Sequence, residues 1–223
     1  MTLTSTDAPL STEELAAVIA ADIPAGSFVN LGIGQPTRIA DHLTPAQEVV
    51  LHTENGMLGM GPAAGPDEVD ADLTNAGKVP VTELPGAAYF HHADSFAMMR
   101  GGHLDVCVLG AYQVAATGDL ANWHTGRADD IPAVGGAMDL AIGAKYVRVM
   151  MSLFGRDGSP KLVPACTYPL TGVACVSRVY TDHGVFTVGD DTLAPGEVGV
   201  LATFGTTVAG LQERLSVALV DRT

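Results

Sequence analysis

Positively charged residues are scarce in this sequence. The 11 lysines and arginines face 25 aspartates and glutamates, so the formal net charge at pH 7 is −14. Nucleic-acid binding depends on clustered basic side chains that neutralise phosphates. The composition therefore argues against nucleic-acid binding and against attachment to an anionic membrane surface. A phosphorylated ligand would need local cations or a partner that supplies them.

Cysteines and long apolar stretches are also few. The three cysteines, Cys107, Cys166 and Cys175, are an odd number and lack metal-ligand spacing. No run of about 18 apolar residues is present, which argues against a membrane span. Residues 1–14 have neither the basic nor the apolar region of a secretion signal. We therefore expect a cytoplasmic protein without membrane contact.

The common nucleotide and hydrolase motifs are missing. Gly32-Ile33-Gly34 lacks the third glycine of a dinucleotide fingerprint, and Gly77-Lys78 is followed by Val79 rather than by the hydroxyl residue of a P-loop. The G-x-S-x-G elbow of serine hydrolases is absent as well. These absences argue against nucleotide binding through such motifs and against a serine hydrolase.

Histidines cluster in one part of the chain. His91, His92 and Asp94 lie close together, with His103 nearby and His124 further on. Their spacing does not match a zinc-ligand set. We interpret the cluster as part of a polar pocket wall or as helix caps, and expect no metal.

The elements that are present predict an α/β fold. We expect a mostly parallel sheet covered by helices, with a more β-rich C-terminal section, as a single domain over residues 1–223 with residues 1–10 frayed. Aromatic residues are only 5% of the chain, so the core must consist of aliphatic side chains and methionine. The predicted helices are 12–22, 36–43, 93–100, a helix opened by Gly135-Gly136-Ala137 and one from 206 to 215; the predicted strands are 27–31, 49–53, 79–84, 104–109, 145–151, 173–180, 185–188 and 197–203.

Three segments between these elements carry weaker signals. Residues 55–78 are rich in glycine and acidic residues and are expected to have little regular structure. Residues 112–114 are expected to extend the strand at 104–109. Residues 155–161 are expected to form a hairpin-like or exposed loop.

Two short stretches suggest chemistry but leave alternatives open. Glu54 follows an apolar strand and precedes Asn55-Gly56, which puts a carboxylate at the carboxyl end of a strand, where open α/β sheets bind ligands. It is either a reactive carboxylate or a solvated turn residue. The Gly135-Gly136-Ala137 turn is either a tight helix start or a source of backbone N–H groups for an oxyanion.

Several ordered blocks over roughly residues 12–190 resemble the B (β) chain of class I CoA-transferases. The blocks are Gly32-Ile33-Gly34-Gln35-Pro36, Glu54-Asn55-Gly56, residues 58–62, residues 72–78, residues 95–103, residues 118–123, residues 135–140 and residues 166–172. Any one of these blocks alone would be a weak signal, whereas their common order is specific.

The resemblance implies roles for individual residues. It implies that Glu54 is the nucleophilic glutamate of a Ser-Glu-Asn-Gly motif, in which Thr53 here keeps the hydroxyl. It places an oxyanion donor at Gly136 and a CoA-contacting lysine at Lys78. The remaining CoA-site and pocket candidates that it implies are Asn55, Gly135, Gln35 and His91. No permanently bound cofactor is implied, because CoA esters are the substrates.

The resemblance also implies a reaction and a partner. It predicts CoA transfer from succinyl-CoA to a 3-oxo acid, in a complex with an A (α) subunit that supplies part of the active site. Residues 90–94 and 123–126 resemble the 3-oxoadipate branch more than the acetoacetate branch. The alternatives are an acetoacetate-type transferase, a CoA-ester hydrolase on the same fold, and a regulatory subunit without catalysis.

Overall fold

The computed structural model describes residues 4–127, 129 and 131–223 as an α/β fold around one large sheet. The α-helices are α1 (Thr12–Asp22), α2 (His92–Arg100), α3 (Ala137–Gly143) and α4 (Val208–Gln212), and 3-10 helices span Gln35–His42 and Pro45–Gln47. The strands are β1 (Phe28–Leu31), β2 (Val50–Thr53), β3 (Met57–Ala63), β4 (Val81–Tyr89), β5 (Val106–Leu109), β6 (Gln113–Ala115), β7 (Leu120–Ala121), β8 (Tyr146–Met150), β9 (Leu162–Val163), β10 (Val176–Thr181), β11 (Gly184–Thr187), β12 (Glu197–Thr203) and β13 (Ala218–Asp221).

The centre of the sheet is parallel. The ten-stranded order is β13-β12-β11-β10-β8-β5-β1-β2-β3-β4, and the five neighbours from β10 to β2 all pair in parallel. Buried apolar runs such as Val106–Leu109 form these strands because both of their faces are covered. The predicted parallel sheet is confirmed, and its strands end together at one edge.

Antiparallel strands flank this centre on both sides. β3 and β4 extend it beyond β2, and β11 and β12 extend it beyond β10. The last strand, β13, pairs in parallel with β12. The predicted β-rich C-terminal section is thereby confirmed, although β13 lies beyond the last predicted helix.

The prediction of little regular structure over residues 55–78 is wrong for its first part, because β3 lies there. Glycines hide this strand in the sequence, and the close approach of β4 explains them. A Cβ on Gly59 would lie 3.1 Å from the Ala87 Cα, and one on Gly61 would lie 2.4 Å from the Thr82 Oγ1. The glycines therefore permit strand pairing rather than prevent it.

The expected extension of the 104–109 strand is also wrong. β6 belongs to a separate three-stranded sheet in the order β7-β6-β9. Gly110 and Ala111 separate β5 from β6, so the chain leaves the large sheet at that point. The carboxyl end of β5 is consequently open toward the small sheet.

The two faces of the large sheet carry separate apolar clusters. Along β5, Cys107 belongs to the cluster with α2, α3 and α4, whereas Val106 and Val108 belong to the cluster with α1. This division follows the alternation of side chains along a strand. The predicted capping box of α1 is present, with Ser11 and Glu14 bonded to each other's backbone N–H groups.

The amino-terminal segment contacts the sheet from Ser5 onward, where the Ser5 Oγ accepts from the Thr203 N–H at 3.1 Å. Thr6 forms a parallel bridge with Phe204, and the Leu10 N–H donates to the Asp182 carbonyl at 2.9 Å. Residues 1–3 of the segment expected to be frayed lie outside the described residues. Within the described ranges, no helix combines the length and the apolar character needed to cross a membrane.

Candidate active site

Glu54 lies in a tight turn between β2 and β3. Thr53 pairs with Met57 across this hairpin, which leaves residues 54–56 as the turn. The Thr53 Oγ1 accepts a hydrogen bond from the Met57 N–H at 3.0 Å. A serine hydroxyl could make the same bond, so the threonine preserves the role of the hydroxyl in closing the turn.

Gly56 fixes the position of this turn against the start of α2. Its φ is 111°, and a Cβ there would lie 2.1 Å from the Phe90 carbonyl oxygen. The Phe90 N–H also donates to the Gly56 carbonyl at 2.9 Å. Only glycine fits this backbone contact, which brings α2 next to Glu54.

His92, in the first turn of α2, contacts the Glu54 backbone. Its Nδ1 lies 2.7 Å from the Glu54 carbonyl oxygen. A carbonyl can only accept, so Nδ1 carries the proton. His91 caps α2 by accepting from the Ala93 N–H at 3.1 Å. His92 lines the cavity and His91 caps the helix, as the interpretation of the histidine cluster allowed. His91 was also expected in the pocket, and that prediction is wrong, because the residue is not part of the cavity lining.

Gly136 meets the Glu54 carboxylate directly. A Cβ on Gly136 would lie 2.7 Å from the Glu54 Cδ and 2.8 and 2.9 Å from its two oxygens. The Gly136 backbone N–H favours the ionised form of this carboxylate. Gly135, by contrast, has a φ of 51° and open space where a Cβ would be. Gly136 is thus needed for the close approach, and Gly135 for the turn conformation.

Burial raises the pKa of Glu54 above its ordinary value. The electrostatic influence of His92 and the Gly136 N–H oppose this rise in pKa, and Asp139 adds to it. The carboxylate is therefore poorly solvated and held by a backbone donor. Weak solvation increases the reactivity of a carboxylate toward an electrophile, and the donor keeps it in position.

A buried polar network lies under the turn. The Asn30 Nδ2 lies 3.1 Å from both the His52 Nδ1 and the His52 carbonyl oxygen, and the Ser95 Oγ lies 3.0 Å from the His52 Nε2 and donates to the Thr53 carbonyl. This arrangement is consistent only with a neutral His52 that carries its proton on Nε2. Burial lowers the pKa of His52 to about 4. The network ties β1, β2 and α2 together beneath Glu54.

A cavity of about 670 Å³ opens at the carboxyl ends of the parallel strands, as the rule for open α/β sheets predicts. It is lined by six residues predicted from the sequence: Glu54, Gly136, Lys78, Asn55, Gly135 and Gln35. The structure brings them together from four separate segments of the chain.

The loop that carries Lys78 is organised by Asn75. The Asn75 Oδ1 accepts from the Gly77 and Val79 N–H groups at 2.8 and 3.1 Å. Lys78 itself has a φ of 64° and an exposed side chain. This turn places the Lys78 ammonium at the solvent side of the cavity. The Asn55 Nδ2 donates to the Thr74 carbonyl at 3.3 Å and so links the loop to the Glu54 turn.

Sequence reasoning missed His52, Asn30, Ser152 and Lys161, all of which line the cavity. His52 stands inside an apolar strand and carries no motif. Residues 155–161 were expected to form a hairpin-like or exposed loop, and Phe154 does pair with Pro160 in a bridge. Lys161, however, is partly buried. Within residues 4–127, 129 and 131–223, no group of three or more His, Cys, Asp or Glu side chains is placed to hold a metal.

Comparison with known proteins places this fold and cavity in a family. The family model described as Coenzyme A transferase matches residues 12–197. The chain belongs to the coenzyme A transferase family. The resemblance inferred from the sequence blocks is confirmed, and the chain is a CoA-transferase by family.

Two relatives from this family are similar over most of their length. The B subunit of the 3-oxoadipate CoA-transferase from Pseudomonas putida is 61% identical over 85% of this chain and 88% of its own. The B subunit of the same name from Acinetobacter baylyi is 51% identical over 96% of this chain and 97% of its own. The acyl-CoA transferase YdiF of Escherichia coli O157:H7 has a TM-score of 0.68 at 18% identity, over 97% of this chain and 43% of that chain, and so shares the CoA-transferase fold.

Proposed function

We propose that this chain is the B (β) component of a CoA-transferase that moves CoA from succinyl-CoA to a 3-oxo acid, specifically 3-oxoadipate. The two relatives described above, 61% and 51% identical to this chain, are named as B subunits of 3-oxoadipate CoA-transferases. The observation that carries the mechanism is the Glu54 carboxylate, packed directly against Gly136 in the cavity at the strand ends.

The reaction begins with Glu54 as a covalent nucleophile. A Glu54 oxygen attacks the thioester carbonyl of succinyl-CoA, the C–S bond breaks, and a mixed anhydride and a CoA thiolate form. The thiolate then attacks the Glu54 carbonyl carbon of the anhydride. This step releases succinate and leaves CoA as a thioester on Glu54.

The second half repeats these steps in reverse with the acceptor. The carboxylate of the 3-oxo acid attacks the Glu54 thioester, which gives a new mixed anhydride and the CoA thiolate. The thiolate attacks the acyl carbonyl, the product CoA ester leaves, and the Glu54 carboxylate is regenerated. No net proton or water is consumed, so a site that excludes water favours transfer over hydrolysis.

The surroundings of Glu54 suit this cycle. Attack on the glutamyl carbonyl places negative charge on an oxygen beside Gly136, whose backbone N–H already favours the ionised carboxylate. Removing one such donor in other enzymes costs about 100- to 1000-fold in rate. We assign Lys78 to the anionic part of CoA, because it is an exposed cation at the cavity in a chain of net charge −14.

We further propose that catalysis requires an A (α) subunit. Both relatives are named as one subunit of their enzyme, which implies a partner chain for them. The cavity is open on one side, where a second chain would supply further oxyanion donors and exclude water. The isolated chain is therefore expected to be inactive.

The test is an exchange assay on the chain co-expressed with its partner. Succinyl-CoA is incubated with 3-oxoadipate, acetoacetate and other 3-oxo acids, and the CoA esters and free CoA are measured. We expect the 3-oxoadipyl ester to form fastest, with little free CoA. Preference for acetoacetate would replace the substrate assignment, and CoA release without an acceptor would indicate a hydrolase.

A further inference from the structure

The far side of the cavity contains a second cation. The chain has three lysines, and two of them, Lys78 and Lys161, line this one cavity. Lys161 comes from the turn before β9, where its N–H donates to the Leu153 carbonyl and its carbonyl accepts from the Val114 N–H, both at 2.9 Å. These two backbone bonds hold Lys161 beside the carboxyl end of β8, next to Ser152.

Lys161 and Glu54 lie at opposite sides of the cavity. Glu54 follows β2 and Ser152 follows β8, with β1 and β5 between these strands. Three strand spacings amount to about 14 Å between the backbones of Glu54 and Ser152. The side chains of Glu54 and Lys161 extend into part of this span, which leaves room for a short acyl chain between them.

Lys161 lacks the partner that a partly buried cation normally has. Among the residues that the structure describes, its ammonium forms no ion pair. Burial lowers its pKa, which the more distant Asp182 opposes. Lys145, in contrast, is exposed and pairs with Asp105 at 2.8 Å. A partly buried, unpaired ammonium is costly unless an anion joins it.

The walls around Lys161 indicate what kind of anion fits. Met150, Met151 and Leu109 line the cavity beside it, and Ser152 adds a hydroxyl. A cation at the end of an apolar channel suits a carboxylate carried on an alkyl chain. The exposed Lys78, at the solvent side of the cavity, is better placed for the phosphates of CoA.

We propose that Lys161, assisted by Ser152, binds the distal carboxylate of dicarboxylic acyl groups while their other carboxyl group reacts at Glu54. This subsite rests on the proposed function. It explains how one cavity serves both a succinyl donor and a longer 3-oxo diacid, because each presents a terminal carboxylate beyond the reacting one.

The experiment compares diacid and monoacid substrates in Lys161→Met, Lys161→Arg and the control Lys145→Met, each co-expressed with the partner chain. The kcat/KM is measured with succinyl-CoA and with acetoacetyl-CoA as donors. Inhibition constants of succinate and butyrate, measured at a fixed donor concentration, give a second readout of carboxylate binding. Circular dichroism and thermal melting check that each variant is folded.

We expect Lys161→Met to lower kcat/KM for succinyl-CoA by about 10- to 100-fold, the usual loss for a hydrogen bond to a charged group. Values for acetoacetyl-CoA and butyrate are expected to stay within about twofold, because monoacids have no distal carboxylate. Lys161→Arg should keep most of the diacid preference, and Lys145→Met should behave like the parent.

Two results would overturn the subsite. One is an equal loss for diacid and monoacid substrates in Lys161→Met, which would indicate a structural or CoA-binding role. The other is an unchanged ratio of succinate to butyrate inhibition. Failure of the parent complex to transfer CoA at all would instead refute the proposed function, so the two failures are distinguishable.

Discussion

Two walls of the cavity are built in different ways. The Glu54 wall, formed by Glu54, His92, Gly135 and Gly136, is held by backbone contacts at tight turns. The Lys161 wall, formed by Met150, Met151, Ser152 and Lys161, consists mainly of side chains beyond the end of β8. Chemistry common to all substrates can therefore be placed on rigid turns, while substrate selection can be left to side chains. Substitutions in the two walls should accordingly differ in how their effects depend on the substrate.

The largest effect is expected at the nucleophile. Glu54→Gln keeps the size of the side chain but removes the nucleophilic oxygen, so exchange should fall by at least about 10,000-fold with every substrate. The exchange assay on the co-expressed complex measures this, and size-exclusion chromatography checks assembly. Retained exchange in an intact complex would contradict a covalent role for Glu54.

The second largest effect is expected at Gly136, and it should exceed the effect at the neighbouring Gly135. In Gly136→Ala the added methyl would meet the end of the flexible Glu54 side chain, so the fold should survive while the carboxylate moves off its donor. We expect a loss of about 100- to 1000-fold in kcat. The measurement is kcat with succinyl-CoA and 3-oxoadipate.

Gly135→Ala is the matched control for this prediction. Its Cβ meets no atom within 4 Å, but its φ of 51° is unfavourable for alanine. We expect a stability loss of about 1–2 kcal/mol and a smaller loss of kcat than in Gly136→Ala. Equal losses of kcat in both variants would show that the turn conformation, rather than the contact with Glu54, decides the rate.

A smaller effect is expected at Lys78, and its pattern should differ from that of Lys161. Lys78→Met should raise KM by about 10-fold for diacid and monoacid CoA esters alike, because the lost charge contacts CoA and not the acyl group. Steady-state KM values for succinyl-CoA and acetoacetyl-CoA provide the check. A selective loss for succinyl-CoA would move the diacid subsite from the Lys161 wall to Lys78.

The turns of the Glu54 wall were visible in the sequence because they have their own residue requirements, but their chemistry stayed open until the resemblance of the ordered blocks assigned it. Gly56 and Gly136 are glycines for steric reasons, and such positions leave a short local pattern. The parallel centre was also predictable, since buried strands such as Val106–Leu109 are continuous apolar runs.

The remaining parts could not be predicted because they depend on contacts between distant segments. Gly59 and Gly61 in β3 resemble loop glycines until the close approach of β4 is known. Lys161 follows a Gly-Ser-Pro stretch that is typical of an exposed loop, more than 100 residues after Glu54. Nothing local indicates that these two side chains line one cavity.

The buried His52 under the Glu54 wall should make stability dependent on pH. Its pKa is about 4 in the folded chain, below the ordinary value of 6.5. As the pH falls, His52 therefore takes up its proton at a higher pH in the unfolded chain than in the folded chain. The stability that neutral His52 contributes is full above pH 6.5 and is lost as the pH falls toward about 4. Melting temperatures of the parent and His52→Gln should therefore converge by several degrees over this interval. A constant difference would contradict a neutral His52.

The smallest effect is a stability gain in Glu54→Gln. Because burial raises the pKa of Glu54, the ionised carboxylate destabilises the folded chain at neutral pH. The parent regains this stability as the pH falls through the pKa of Glu54 in the folded chain. The variant should melt at a higher temperature than the parent at pH 7.5, and the difference should shrink as the pH falls toward 4.5. A lower melting point at pH 7.5 would indicate that the carboxylate stabilises the turn.

The most direct test of the account is the mass of the covalent intermediate. The complex is incubated with succinyl-CoA without an acceptor, digested at low pH, and its peptides are analysed by mass spectrometry. We predict a CoA adduct on the peptide that contains Glu54, which disappears when 3-oxoadipate is added and is absent in Glu54→Gln. An adduct on another residue, or transfer without any adduct, would contradict the central role of Glu54.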